Sequence, residues 1–121
     1  LINPPINFTI PAKGKLEHKF LLAERRVARV SCSIHPWMSA WLLIRDNPYM
    51  AVSDAKGKLT IKNLPVGKWT IQFWHEKAGY VSELSQGGKK AEWKRGRLEI
   101  DIKPGENDLG PVTLAQTVFA D

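Results

Sequence analysis

Apolar and polar side chains alternate with a period of two along several short runs of this chain, and almost nowhere do they keep the period of a helix. The alternation predicts strands over residues 16–22, 27–32, 40–45, 49–53, 59–62, 68–74, 97–103 and 109–114. Turn chemistry separates them: Ala12-Lys13-Gly14, Asp46-Asn47-Pro48, Asp54-Ala55-Lys56-Gly57, Asn63-Leu64-Pro65-Val66-Gly67 and Pro104-Gly105-Glu106-Asn107. Pro4, Pro5 and Pro11 make the first residues an extended, irregular entry. Between the strand ending at Trp74 and the one starting at Arg97 the chain makes a Gly-rich and basic excursion. The expectation is an all-β fold.

Composition narrows the class. At 121 residues, 43% hydrophobic and 25% charged, the chain is long enough to bury a core and has none of the bias of a disordered segment. Its longest apolar stretch, residues 40–44, is far short of the roughly 20 residues of a membrane-spanning helix. One cysteine excludes an intrachain disulfide. The chain starts at Leu1 without an initiator Met or a signal segment, which reads as a mature product or a fragment. The net charge is +6, with Lys89, Lys90, Lys94, Arg95 and Arg97 grouped around Trp93. Cations beside a stacking ring suit nucleic acid, but no recognised nucleic-acid motif accompanies them. A solvated loop, or a basic surface that steers an acidic partner, accounts for them instead.

The candidate chemistry sits in Ser31-Cys32-Ser33-Ile34-His35-Pro36-Trp37-Met38. A thiolate, an imidazole and a thioether in seven residues are three of the four side chains of a blue-copper centre, whose trigonal plane is His2Cys with a long axial Met. A short turn between strands holds such ligands nearly fixed while an electron moves. Pro36 fixes its own φ and biases His35 towards extended geometry, and Trp37 is placed to shield the loop. Taken singly, Cys32 also reads as a small buried hydrophobe, Met38 as core filler and His35 as a surface group. His75, in Trp74-His75-Glu76, reads either as a strand-end histidine with a local hydrogen bond or as a further ligand or supporting group near a metal. His18 reads as a solvated strand residue. No Ser-His-Asp order, H-E-x-x-H or nucleotide-binding Gly loop is present, so a catalytic role is not expected.

The spacing C-x2-H-x2-M with Pro after the His resembles the ligand loop of cupredoxins, and of amicyanins in particular. The later pattern Val52-Ser53-Asp54, Gly57-Lys58-Leu59-Thr60-Ile61 and Leu64-Pro65-x-Gly67-x-Trp69-Thr70 resembles the carboxypeptidase-regulatory or transthyretin-like β-sandwich. Together with Asn47-Pro48-Tyr49, Phe73-Trp74-His75-Glu76-Lys77-Ala78-Gly79, Trp93-Lys94-Arg95-Gly96-Arg97 and Asp108-Leu109-Gly110, these runs make the chain similar to exported bacterial proteins of planctomycete type. In those proteins a cupredoxin-like half runs into such a segment.

The resemblance implies a division into residues 1–46, the closing strands of a Greek-key cupredoxin sandwich, and residues 47–121, the regulatory-like sandwich. It implies copper held by Cys32, His35 and Met38, with the first His upstream of the segment that aligns with Leu1. It also implies a periplasmic or extracellular location, docking of a redox protein around Pro36 and Trp37, and no catalysis. The strands within 16–45 would leave open edges, to be covered by an N-terminal half, another copy or another subunit. The alternative is a noncatalytic structural or carbohydrate- or protein-binding sandwich of the cell envelope, with Trp69 and Trp74 stacking on sugar rings.

Overall fold

The computed structural model describes residues 1–120, and its regular elements are strands apart from two short 3-10 turns, so the all-β expectation holds at that level. The chain divides into two compact units, Leu1–Leu59 and Thr60–Asp121. The divide thus falls between Leu59 and Thr60, whereas the resemblance places one between residues 46 and 47.

The first unit contains one hairpin, β1 (Ala28–Ser31) against β2 (Ser39–Leu42), with Ala28 opposite Leu42 and Ser31 opposite Ser39. Directly opposed residues share a face, so Ala28, Val30, Ala40 and Leu42 form an apolar face and Arg29, Ser31, Ser39 and Trp41 the other. Upstream, the Glu24 carboxylate is buried and organises the entry. Its oxygens accept from the backbone amides of Ile2 and Asn3 and from the Asn3 side chain at 2.7–3.0 Å, while the Glu24 amide donates to the Ile44 carbonyl. Asn3 closes the clamp by imitating a strand partner: its Nδ2 donates to the Leu22 carbonyl and its Oδ1 accepts from the Leu22 amide. Those donors hold the Glu24 carboxyl below its ordinary value, chiefly through the amides of Ile2 and then Asn3.

The predicted strands over 16–22, 49–53 and 59–62 are not strands in the structure. Alternation marks a segment that could lie half-buried on a sheet, but a strand also needs a second strand to form a ladder with, and none of these segments enters a ladder among the described residues. Local turns do form as expected: Gly14 donates to the Pro11 carbonyl, and Asp54 Oδ1 accepts from the amides of Lys56 and Lys58.

The second unit holds most of the buried apolar side chains. β3 (Gly67–Gln72) pairs with β8 (Arg97–Ile102), Trp69 and Ile71 facing Ile100 and Leu98 on the more buried side while Lys68 and Thr70 face Asp101 and Glu99 on the open one. Between them run a short hairpin, β4 (Trp74–His75) with β5 (Gly79–Tyr80), and a second one, β6 (Glu83–Gln86) with β7 (Lys89–Glu92). β9 (Val112–Thr113) adds to the other edge of β6. Gly87 and Gly88, both at positive φ, make the tight turn between β6 and β7. The basic excursion is therefore this hairpin followed by a 3-10 turn at Lys94–Gly96.

Val81, Leu84 and Trp93 form the core of the unit, with Phe73, Ala91, Leu98 and Leu114 packed against them. The turn signal 63–67 is confirmed with a specific lock. Asn63 and Gly67 take positive φ, and the Trp69 indole N–H donates to the Pro65 carbonyl at 2.8 Å.

Candidate functional site

The ligand-like loop caps the β1–β2 hairpin. The Cys32 amide donates to the Met38 carbonyl at 3.1 Å, continuing the ladder one pair beyond Ser31 and Ser39, and the Met38 amide turns inward to the His35 carbonyl at 2.8 Å. By register, Cys32 and Met38 then emerge on the same face as Val30 and Ala40. Pro36, which lacks an N–H, sits where the chain reverses and no backbone donor is needed.

The loop brings the thiol and the imidazole together. Cys32 Sγ lies 3.7 Å from His35 Nδ1, and the His35 backbone amide donates to the same sulfur at 3.4 Å. A first-row metal held at about 2.3 Å by sulfur and about 2.0 Å by nitrogen, with an angle of roughly 110–120° between them, sets the two donors about 3.5–3.7 Å apart. The observed separation fits two ligands of one ion, and equally an S–H to nitrogen hydrogen bond in the metal-free loop. The Trp37 ring lies 5.3 Å from the His35 ring, yet 78% of Trp37 is exposed, so it flanks the imidazole on the outside. Cys32 is half-buried and Met38 largely open.

Met38 is thus joined to the site by its backbone, and Cys32 and His35 by their side chains. Among the described residues no three His, Cys, Asp or Glu side chains gather into a metal-holding group. The donor set in this loop amounts to one thiol, one imidazole and one thioether, and a His2Cys plane needs a second imidazole.

His75 belongs to the second unit, where its Nδ1 accepts from the amides of Lys77 and Ala78 at 3.1 and 3.3 Å and its ring meets the edge of Phe119. With Nδ1 engaged as an acceptor, the neutral ring carries its proton on Nε2. His18 lies between two rings, 5.6 Å from Phe8 and 4.8 Å from Phe20. Its contact with Phe20, two residues on, is the same-face contact that alternation implies, although no ladder forms there.

Trp93 does not offer a stacking surface: it is 4% exposed and packs 4.7 Å from Phe73 in the core. The basic residues around it are distributed over β7, the 3-10 turn and the start of β8. Spacing alone could not reveal the amide aimed at Cys32 or the shared face of Cys32 and Met38. Both follow from the register of the hairpin. No helix of the described residues is long and apolar enough to cross a membrane. Comparison of the chain with protein families, with curated proteins and with solved structures finds no match.

Proposed function

We propose that residues 32–38 are the ligand loop of a type 1 copper site and that the protein passes single electrons between exported redox partners. The observation that carries this reading is the 3.7 Å separation of Cys32 Sγ and His35 Nδ1 in a loop whose ends are tied by hydrogen bonds. Cys32 is the thiolate ligand, His35 one of two imidazoles and Met38 the weak axial donor; the second imidazole comes from outside the described residues. Copper supplies the one-electron couple when bound.

The chain's own residues do the rest. The His35 amide on the Cys32 sulfur withdraws electron density from it, a means of setting the potential. Pro36 and the exposed Trp37 ring form an apolar rim beside the imidazole against which a redox protein docks. In this proposal residues 1–46 are the closing strands of a cupredoxin-like sandwich and the rest is a carboxypeptidase-regulatory-like sandwich. The latter is supported by the lock between Trp69 and Pro65 in the motif Leu64-Pro65-x-Gly67-x-Trp69. The location is periplasmic or extracellular and the role noncatalytic.

Titration of the protein with Cu(II) in the presence of free imidazole, which stands in for the second nitrogen ligand, tests this. An intense thiolate-to-copper band in the visible is expected for the native chain and none for Cys32→Ser. Absence of the band in the native chain, together with no sulfur-to-metal band on Co(II) loading, overturns the proposal.

A further inference from the structure

We propose that residues 2–24 form a ribbon by which this chain lies on an anionic lipid surface, with its apolar side in the acyl boundary and its cations level with the phosphates. The inference goes beyond the copper assignment and uses none of its ligands. Contacts at three levels fold the segment back on itself. At the open end the Asn3 side chain holds the backbone of Leu22 and the Glu24 carboxylate, in the middle the Phe8 ring lies 5.6 Å from that of His18, and at the turn the Gly14 amide donates to the Pro11 carbonyl at 2.8 Å. The course is that of a hairpin, although the segment enters no ladder among the described residues.

The ribbon is two-sided. Ile2, Ile6, Phe8, Ile10, Leu16 and Leu22 are each 45–54% exposed, and all fall at even positions, the spacing of one side of an extended chain. His18 and Phe20 keep the same spacing, and their rings, two residues apart in sequence, meet at 4.8 Å. Lys13, Lys15 and Lys19 fall at odd positions, with Glu17 among them. An apolar side backed by a cationic one is the pattern of a segment that lies in a membrane interface rather than crossing it.

Charge selects the occupant. Residues 1–29 carry Lys13, Lys15, Lys19, Arg25, Arg26 and Arg29 against Glu17 and Glu24. Glu24 is 2% exposed and its oxygens are engaged by the amides of Ile2 and Asn3. Glu17 meets Lys15 at 2.9 Å in an ion pair open to solvent, which is given up at little cost. The surface on offer is therefore apolar and cationic, and it calls for an anionic occupant that also accepts apolar side chains. A protein binding here by strand addition would extend a ladder, and the segment has none to extend among the described residues. A bilayer needs no ladder: its acyl boundary conforms to irregular side chains while its phosphates meet the lysines and arginines in the same encounter.

Co-sedimentation of the full chain with vesicles of phosphatidylcholine and phosphatidylglycerol in equal parts, beside vesicles of phosphatidylcholine alone, tests the proposal. Expected are binding to the mixed vesicles only, weakening as salt screens the charges, and slower trypsin cleavage at Lys13, Lys15 and Lys19 in the bound state. Lys13→Glu with Lys15→Glu should weaken binding at least about tenfold, while Lys89→Glu with Lys90→Glu, the same change of net charge in the second unit, should leave it nearly unchanged. Ile10→Asp and Leu16→Asp, each at a half-exposed position, should both weaken it with the near-UV circular dichroism of the chain preserved. Absence of binding to the mixed vesicles, equal binding to both kinds, equal loss in the two double variants, or indifference to both apolar variants each overturns the proposal. So does protection of Lys13, Lys15 and Lys19 by polyglutamate and not by vesicles, which would assign the ribbon to an acidic protein, or the same protection on concentrating the chain without lipid, which would assign it to a second copy.

Discussion

Two residues bear more structure than their size suggests. Gly96 adopts φ +69°, and a Cβ built there would meet the Phe73 carbonyl oxygen at 2.4 Å, just where the Phe73 amide donates to the Gly96 carbonyl. Both the left-handed backbone and the close approach demand glycine. Gly96→Ala is expected to cost about 3 kcal/mol or more, read as a fall in the denaturant midpoint with little change in slope. Glu24 acts through protonation. Because its folded-state carboxyl titrates below the ordinary value of 4.5, the stabilisation it gives is fully present above that pH and is lost as acid carries the pH down through the folded-state value. Hydrogen exchange at Ile2 and Asn3, compared at matched intrinsic rates, should keep its protection at pH 4.5 and lose it on further acidification. Glu24→Gln should show weak protection of those amides already at neutral pH.

At the level of strands, Glu83 and Glu92 stand directly opposite each other in the β6–β7 ladder. Opposed like charges cost a sheet roughly 0.2–1 kcal/mol, so Glu83→Gln should raise stability by that order. The gain should shrink at high ionic strength, and thermal melts at low and high salt measure both effects. The same hairpin shows why elements differed in legibility. β3 and β8 were readable because each has a clean apolar face and each finds the other as partner within the chain. Residues 16–22 have the face without a ladder partner among the described residues, and alternation cannot supply one. β6 and β7 have partners but almost no periodic signal, since Ser85, Gln86, Lys89 and Lys90 are polar; Gly87-Gly88 was the one local mark of their turn. At the candidate site the residue types were legible in C-x2-H-x2-M. The meeting of Cys32 with His35 was not, because it depends on the backbone bonds that fold the loop back on itself.

Over the whole molecule, order is unevenly distributed. Val81, Leu84, Trp93 and Ile102 are buried in the second unit, whereas the first buries Ala28 and Glu24 and otherwise relies on one hairpin and the Glu24 clamp. Brief digestion with a trypsin-like protease should therefore cut first at Lys13, Lys15 or Lys19, in exposed irregular backbone. Mass spectrometry should recover fragments containing residues 67–102 intact at times when that region is already nicked. First cleavage inside β3 or β8 would contradict this distribution.

The exposed indole of Trp37, 5.3 Å from the His35 ring, has an optical consequence. Its emission should sit at long wavelength and be quenched by a paramagnetic ion or by any body settling on the loop, while Trp93, enclosed beside Phe73, should emit to the blue. Of the chain's five indoles these two mark the ends of the range, and with Trp41, Trp69 and Trp74 replaced by Phe one would report what reaches the loop and the other whether the second unit stays folded.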